Sequence, residues 1–170
     1  MLTQLWTSLR PHWKNLCYLV RHKAWLAYAG WKLGVPFDRL FWHDLSKLWP
    51  DEWFPYTRFF YKTPSSNRDK ASALWHFKHA WAKHVRRNRH HPEHWNGGEM
   101  PETYVREMVA DWFAAGMAQG KPDIVGWFEQ SKFPQYLPPQ TLKLVQQLLL
   151  EVSQWPILLQ HTPPPTSWRS

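Results

Sequence analysis

The chain has 170 residues, enough for one domain with a real core, and 21 Lys and Arg against 13 Asp and Glu leave a net charge of +8. A hydrophobic content of 44%, including 14 Trp, excludes a disordered chain despite 15 Pro, and the single cysteine, Cys17, excludes a disulfide framework or a cysteine-based zinc finger. No apolar run approaches the roughly 18 residues of a membrane span, and Arg10, His12 and Lys14 interrupt the opening stretch where a secretion signal needs apolar residues, so a cytoplasmic protein with no membrane partner is expected.

Glycine is scarce, and no segment alternates with period two over a strand length. An all-α fold is therefore predicted, a single-domain bundle of about six to seven helices over residues 1–160. The first long helix is predicted from about Pro11 to Lys32, with Trp13, Leu16, Leu19, Trp25 and Leu26 among its apolar positions, and Gly34 and Pro36 stop it. A short helix from Phe37 to Leu48 is cut by Pro50. A third begins at Pro50-Asp51-Glu52, with acids where the helix dipole favours them, and ends by Lys62.

After a loop at Thr63–Asn67, a fourth helix is expected over about Arg68–His90, broken by Pro92, Gly97 and Gly98. Further helices are predicted at Pro101–Met117, Pro122–Gln130 and Pro139–Gln154. The last of these carries Leu142, Val145, Leu148, Leu149 and Val152 at helical spacing. Residues 161–170 hold three consecutive prolines and read as an extended or disordered tail.

Charge and histidine are uneven. Residues 78–94 carry Lys78, Lys83, Arg86, Arg87 and Arg89 against one acid, Glu93, and hold five of the ten histidines. Such a run is on its own a solvated basic face. Elsewhere, however, His43-Asp44 places an imidazole beside a carboxylate, with Lys47 one helical turn on from His43. Imidazole with carboxylate is a ligand set for a borderline or hard divalent metal, and a lysine beside it can meet an anionic substrate.

Helix one offers His22 among apolar neighbours, where a histidine is more commonly a hydrogen-bonded core residue. The fourth helix offers His84, Asn88 and His91 at i, i+4 and i+7, one stripe of a helix. Asp111, with Glu107 one turn before it, lies amid Met108, Val109, Trp112 and Phe113, where burial of a carboxylate requires a compensating cation. Asn88 and Glu107 are suited to orient ligands, because a ligating His passes its other ring N–H to such a partner. His12, His76, His79, His94 and Glu93 read as surface residues or as partners of that kind.

The order His22, His43-Asp44, Asp111 across three helices resembles the HD-domain superfamily, whose pattern is H…HD…D on an all-α bundle. The pieces His-Asp-Leu-Ser-Lys and His90-His91-Pro-Glu are similar to its dinuclear members. The strings HDLSK, AWAKHVRRNRHHPEHW and EMVADW resemble more closely a family of small bacterial and phage proteins with no assigned activity, and the likeness covers about residues 20 to 115. The resemblance implies His22, His43, Asp44 and Asp111 as shared metal ligands. It implies His84 with one of His90 or His91 at a second ion, so that one or two divalent ions (Mn, Fe, Mg, Zn or Ni) are the expected cofactor.

A metal-dependent phosphohydrolase follows as the expected function. Asp44 would bridge the ions, and Lys47 with Arg86 or Arg87 would neutralise a small anionic phosphorylated substrate such as a nucleotide. Some HD-type proteins hold a di-iron centre and oxidise carbon with O₂, which is one alternative. A basic, Trp-rich nucleic-acid-binding module is another, though it leaves the His-Asp…Asp order unexplained. No phosphate-binding glycine loop or G-x-S-x-G nucleophile motif is present.

Overall fold

A computed structural model describes residues 2–159, and every regular element among them is helical. In chain order these are α1 (Leu2–Lys32), α2 (Phe37–Trp42), α3 (Pro50–Tyr61), α4 (Asn67–Arg87), α5 (Glu102–Ala118), α6 (Ile124–Gln130), α7 (Phe133–Tyr136), α8 (Pro139–Ser153) and α9 (Pro156–Leu159). Short 3-10 turns cover Leu45–Leu48 and Pro92–Trp95. The all-α expectation therefore holds. The tail predicted at 161–170 lies outside the described residues.

α1 begins well before Pro11, which sits inside it. An interior proline removes one N–H from the ladder and crowds the carbonyl of Thr7, yet α1 continues through it. α7, α9 and both 3-10 turns were not predicted. Each is four residues long, too short to show a period.

The chain divides into two compact units, residues up to Arg21 with Trp42–Arg89, and His22–Phe41 with the residues from His90 onward. In the first, α3 packs along α4. The buried Ala73 and Ala80 keep α4 slim enough for close approach. Phe77 stacks on Phe59 with ring centroids 4.4 Å apart and takes Tyr56 and Phe60 edge-on. Asn15 of α1 donates a buried hydrogen bond of 3.0 Å to Thr57 Oγ1, and Trp53 Nε1–H donates to His12 Nδ1. Ser66 caps α4 by accepting the Asp69 N–H, while Asp69 pairs with Arg58 at 2.6 Å.

The second unit contains a larger apolar core. α5 is its central rod: Val105, Met108, Val109, Ala110, Phe113 and Ala114 are all buried, so the helix is apolar around most of its circumference. Phe113 meets Trp25, Tyr28 and Trp155, and α8 adds Val145, Leu149 and Val152. Burying such side chains contributes about 1.5–3 kcal/mol each. Against that background, the buried Glu107 and Asp111 on α5 stand out. The start of α8 is tied down by Glu99, whose carboxylate accepts the N–H groups of Gln140 and Thr141 and the Thr141 hydroxyl.

Gly116 lies in the last turns of α5, where the chain folds back so closely that a Cβ would stand 2.6 Å from the Lys121 carbonyl oxygen. That oxygen belongs to a backbone held by the Lys121 N–H to Gly116 carbonyl bond. Gly116→Ala should therefore lose more to the clash, about 1–3 kcal/mol, than the roughly 1 kcal/mol it gains in helix propensity. A lower urea midpoint than the parent checks this, and an unchanged or higher midpoint contradicts it.

Candidate metal centre

The His-Asp pair does not lie on a helix. α2 stops at Trp42, and Asp44 takes a left-handed conformation, φ 57° and ψ 14°, before the Leu45–Leu48 turn. The continuous helix expected from Phe37 to Leu48, with His43 and Lys47 on one face, is thus corrected. A left-handed L-residue costs about 1–2 kcal/mol, and Asp tolerates it better than most because its short polar side chain bonds locally. The break turns the Asp44 carboxylate inward, with Oδ2 3.4 Å from His43 Nε2 and 2.5 Å from Lys47 Nζ. Burial alone raises the Asp44 pKa, but the charges of His43, Lys47 and His84 outweigh it and hold the group well below the usual carboxylate range.

His84 extends this arrangement from α4. Its side chain is fully buried, with Nε2 3.2 Å from Asp44 Oδ1 and Nδ1–H donating to Glu52 Oε2 at 2.8 Å. Burial lowers the His84 pKa, yet the two carboxylates raise it more. Glu52 is itself fully buried and accepts from Ser46 Oγ and Arg87 Nη1 as well. Its pKa falls, because these bonds overcome the desolvation that pushes it up.

α4 ends at Arg87, so the helical stripe predicted through His84, Asn88 and His91 is also corrected. Asn88 is extended, and its amide donates to the His84 carbonyl at 2.9 Å and to Ser46 Oγ at 3.1 Å. A side-chain amide that bonds the last turn in this way competes with a further helical turn. Arg87 is held by Asp51 and Glu52 and lies over the Trp49 ring, and both it and Arg86 are exposed.

The second unit holds the other donors. His22 Nε2 lies 3.1 Å from Asp111 Oδ1, and His90 Nε2 lies 3.8 Å from Asp111 Oδ2. His90 Nδ1 faces Glu107 Oε1 at 3.3 Å, and the other Glu107 oxygen accepts from Arg39 Nε at 2.8 Å and from its Nη2. Arg39 is steadied by the Tyr104 ring beneath it, 3.9 Å from guanidinium carbon to centroid. The His91 ring packs against His90, with centroids 4.1 Å apart.

His84 and His90 therefore share one design. Each has its Nδ1 facing a buried glutamate and its Nε2 turned toward an aspartate, the arrangement that fixes a ligating imidazole's orientation and raises its basicity. The five histidines singled out from the sequence, His22, His43, His84, His90 and His91, are the five that are buried among the described residues. His12, His76, His79 and His94 are not. A solvated basic face does not account for this division. These buried imidazoles and carboxylates could hold a metal ion.

Asn88 lies against His84 and Glu107 against His90. Glu52 and Arg39 were missed. Glu52 read as one more acid in a helix's first turn, and Arg39 carried no motif. Finding them required the tertiary pairing.

From residue 11 to residue 151, more than half of its length, the chain matches the family described as "Family of unknown function (DUF5662)", and it belongs to that family. No curated protein and no solved structure matches it.

Two outcomes follow from the charge network. Hydrogen bonds from Arg87 and Lys83 lower the Asp51 pKa to about 2, against about 3.9 in an unfolded chain. A depressed carboxylate stabilises the fold above its unfolded value, and this is lost as pH falls from about 4 to about 2. Thermal melts of Asp51→Asn should decline less steeply across that window than the parent, by no more than about 1 kcal/mol because the pair is partly solvated. Glu52→Gln leaves His84 and Arg87 without their buried acceptor charge, so chemical denaturation should register a loss of about 1.5–3 kcal/mol.

Proposed function

We propose that the protein is a metal-dependent phosphohydrolase that acts on a nucleotide or another small phosphoester. The observation that carries this reading is the pair of buried carboxylate–imidazole–carboxylate chains, Glu52–His84–Asp44 and Glu107–His90–Asp111. Hard oxygen and borderline nitrogen donors with no sulfur suit Mn, Fe, Mg, Zn or Ni. The H…HD…D order that resembles HD-type hydrolases is what assigns the proposed ligands: His22, His43, Asp44 and Asp111 for one ion, and Asp44, His84 and His90 or His91 for a second.

A divalent ion there supplies a water of lowered pKa and a clamp on phosphoryl oxygens. The chain's own groups do the rest. Glu52 and Glu107 keep the His84 and His90 rings from rotating. The left-handed turn at Asp44 presents both carboxylate oxygens inward rather than along a helix surface. Lys47 is the cation poised beside Asp44, mostly buried and with its Nζ 5.9 Å from the Tyr56 ring centroid, a partly dry setting where its charge acts on a phosphate strongly. Lys47 carries the substrate's charge in this reading. Arg87 supports the site by holding Glu52.

Elemental analysis of untagged protein, with thermal melts, tests the reading. EDTA should lower the melting temperature, and Mn or Fe should restore it, since free ion at a hundredfold its Kd stabilises by about 2.7 kcal/mol. Asp44→Asn should fold yet lose metal, and Asp44→Ala should be less stable than Asp44→Asn by about 1 kcal/mol, because Asn accepts the left-handed turn. Lys47→Ala should keep its metal while turnover of a hydrolysed phosphoester falls at least about tenfold. Absence of metal and of any chelator response overturns the reading, and bound iron with O₂ consumption in place of hydrolysis replaces it with the oxygenase chemistry.

A further inference from the structure

We infer that α1 docks the protein onto an anionic phospholipid surface, through an apolar stripe that inserts among the lipids and a cationic groove that takes a phosphate headgroup. Trp6, Leu9, Trp13, Leu16 and Val20 recur at alternating spacings of three and four, which places them along one face of α1 over about 21 Å. All five are exposed, from 39 to 61%. The opposite side of the same helix is already used inside the first unit, where Asn15 is buried against Thr57 and His12 meets Trp53. The outer stripe is thus a second apolar face on a helix whose packing face is satisfied.

The charge beside the stripe identifies the occupant. Arg10, Lys14 and Arg21 follow one another along its edge, and the first 37 residues contain no acid. Arg10 and Lys14 join Lys62 in lining a groove with Thr7, Ser8, Tyr61 and Thr63, and no acidic residue lines it. Among the described residues none of these three cations forms an ion pair. Three cations beside hydroxyl-bearing residues around one opening suit the phosphate of a lipid headgroup. Tryptophan beside aliphatic residues suits the layer beneath it.

A second copy of the chain fits less well, because its matching face brings the same cations and no acid to meet them. Single-stranded nucleic acid would stack on Trp6 and Trp13 but leaves Leu9, Leu16 and Val20 unused. No described helix is long and apolar enough to cross a bilayer, so the contact proposed is with the surface alone. It departs from the expectation of no membrane partner, which rested on the lack of a spanning run. It rests on residues separate from the candidate metal ligands.

Flotation of the full chain with phosphatidylcholine vesicles, with and without phosphatidylglycerol, tests this, alongside sedimentation equilibrium and a single-stranded oligonucleotide titration. The protein should float with the anionic vesicles only, and less so at high salt. Arg10→Gln with Lys14→Gln should weaken that binding about 25-fold, each cation near an anionic surface being worth about fivefold. Leu9→Ser with Leu16→Ser should abolish flotation while leaving the circular dichroism spectrum and any metal content unchanged. Should the leucine variant misfold, the charge variant still decides, since its side chains are at the surface. Failure to float, or equal flotation with neutral and anionic vesicles, overturns the inference. So does a stripe-dependent dimer or oligonucleotide complex in its place.

Discussion

A carboxylate buried away from water must be given its charge partners by the protein, and Glu52 shows how much structure that requirement organises. Its side chain is fully buried and gathers Ser46, His84 and Arg87. Through Ser46 it is tied to the turn after Asp44, and through His84 and Arg87 to the last turns of α4. Removal of one member would leave the others desolvated without a partner, which costs more than the bond itself contributes. The polar chain therefore specifies where α3, α4 and the His-Asp turn meet, while Phe77 and the small alanines of α4 provide the apolar attraction.

Glu107 does the same in the second unit, with Arg39 and His90 as partners. The recurrence of one local solution, a buried glutamate facing Nδ1 while Nε2 addresses an aspartate, gives the candidate centre its character. An imidazole has two inequivalent nitrogens, and fixing one determines what the other presents. Without Glu52 and Glu107 the two rings would be ordinary core histidines. With them, the rings are aimed.

α1 illustrates a different constraint. A helix has room for a packing face and an outer face, and in most surface helices the outer one is polar. Here the outer face carries Trp and Leu at regular spacing beside a row of cations. That arrangement has no value to the folded chain alone, since exposed apolar area gains nothing from its own core.

The helical class and most helix positions were legible from the sequence, and so were the five histidines singled out as candidate ligands, because period, proline and glycine punctuation and residue chemistry are local properties. The order His22, His43-Asp44, Asp111 was legible for the same reason. The left-handed turn at Asp44 was not, since no glycine marks it and the surrounding pattern continues as a helix would. Nor was the end of α4 at Arg87, where the Asn88 side chain takes up the His84 carbonyl. Glu52 and Arg39 were invisible as site residues, because an acid in a helix's first turn and a lone arginine have the same sequence appearance whether they face water or a buried histidine. Sequence determined which side chains were available for the chemistry. Tertiary packing decided which of them lost their water, and desolvation is what converts a charged residue into one that must hold another in place.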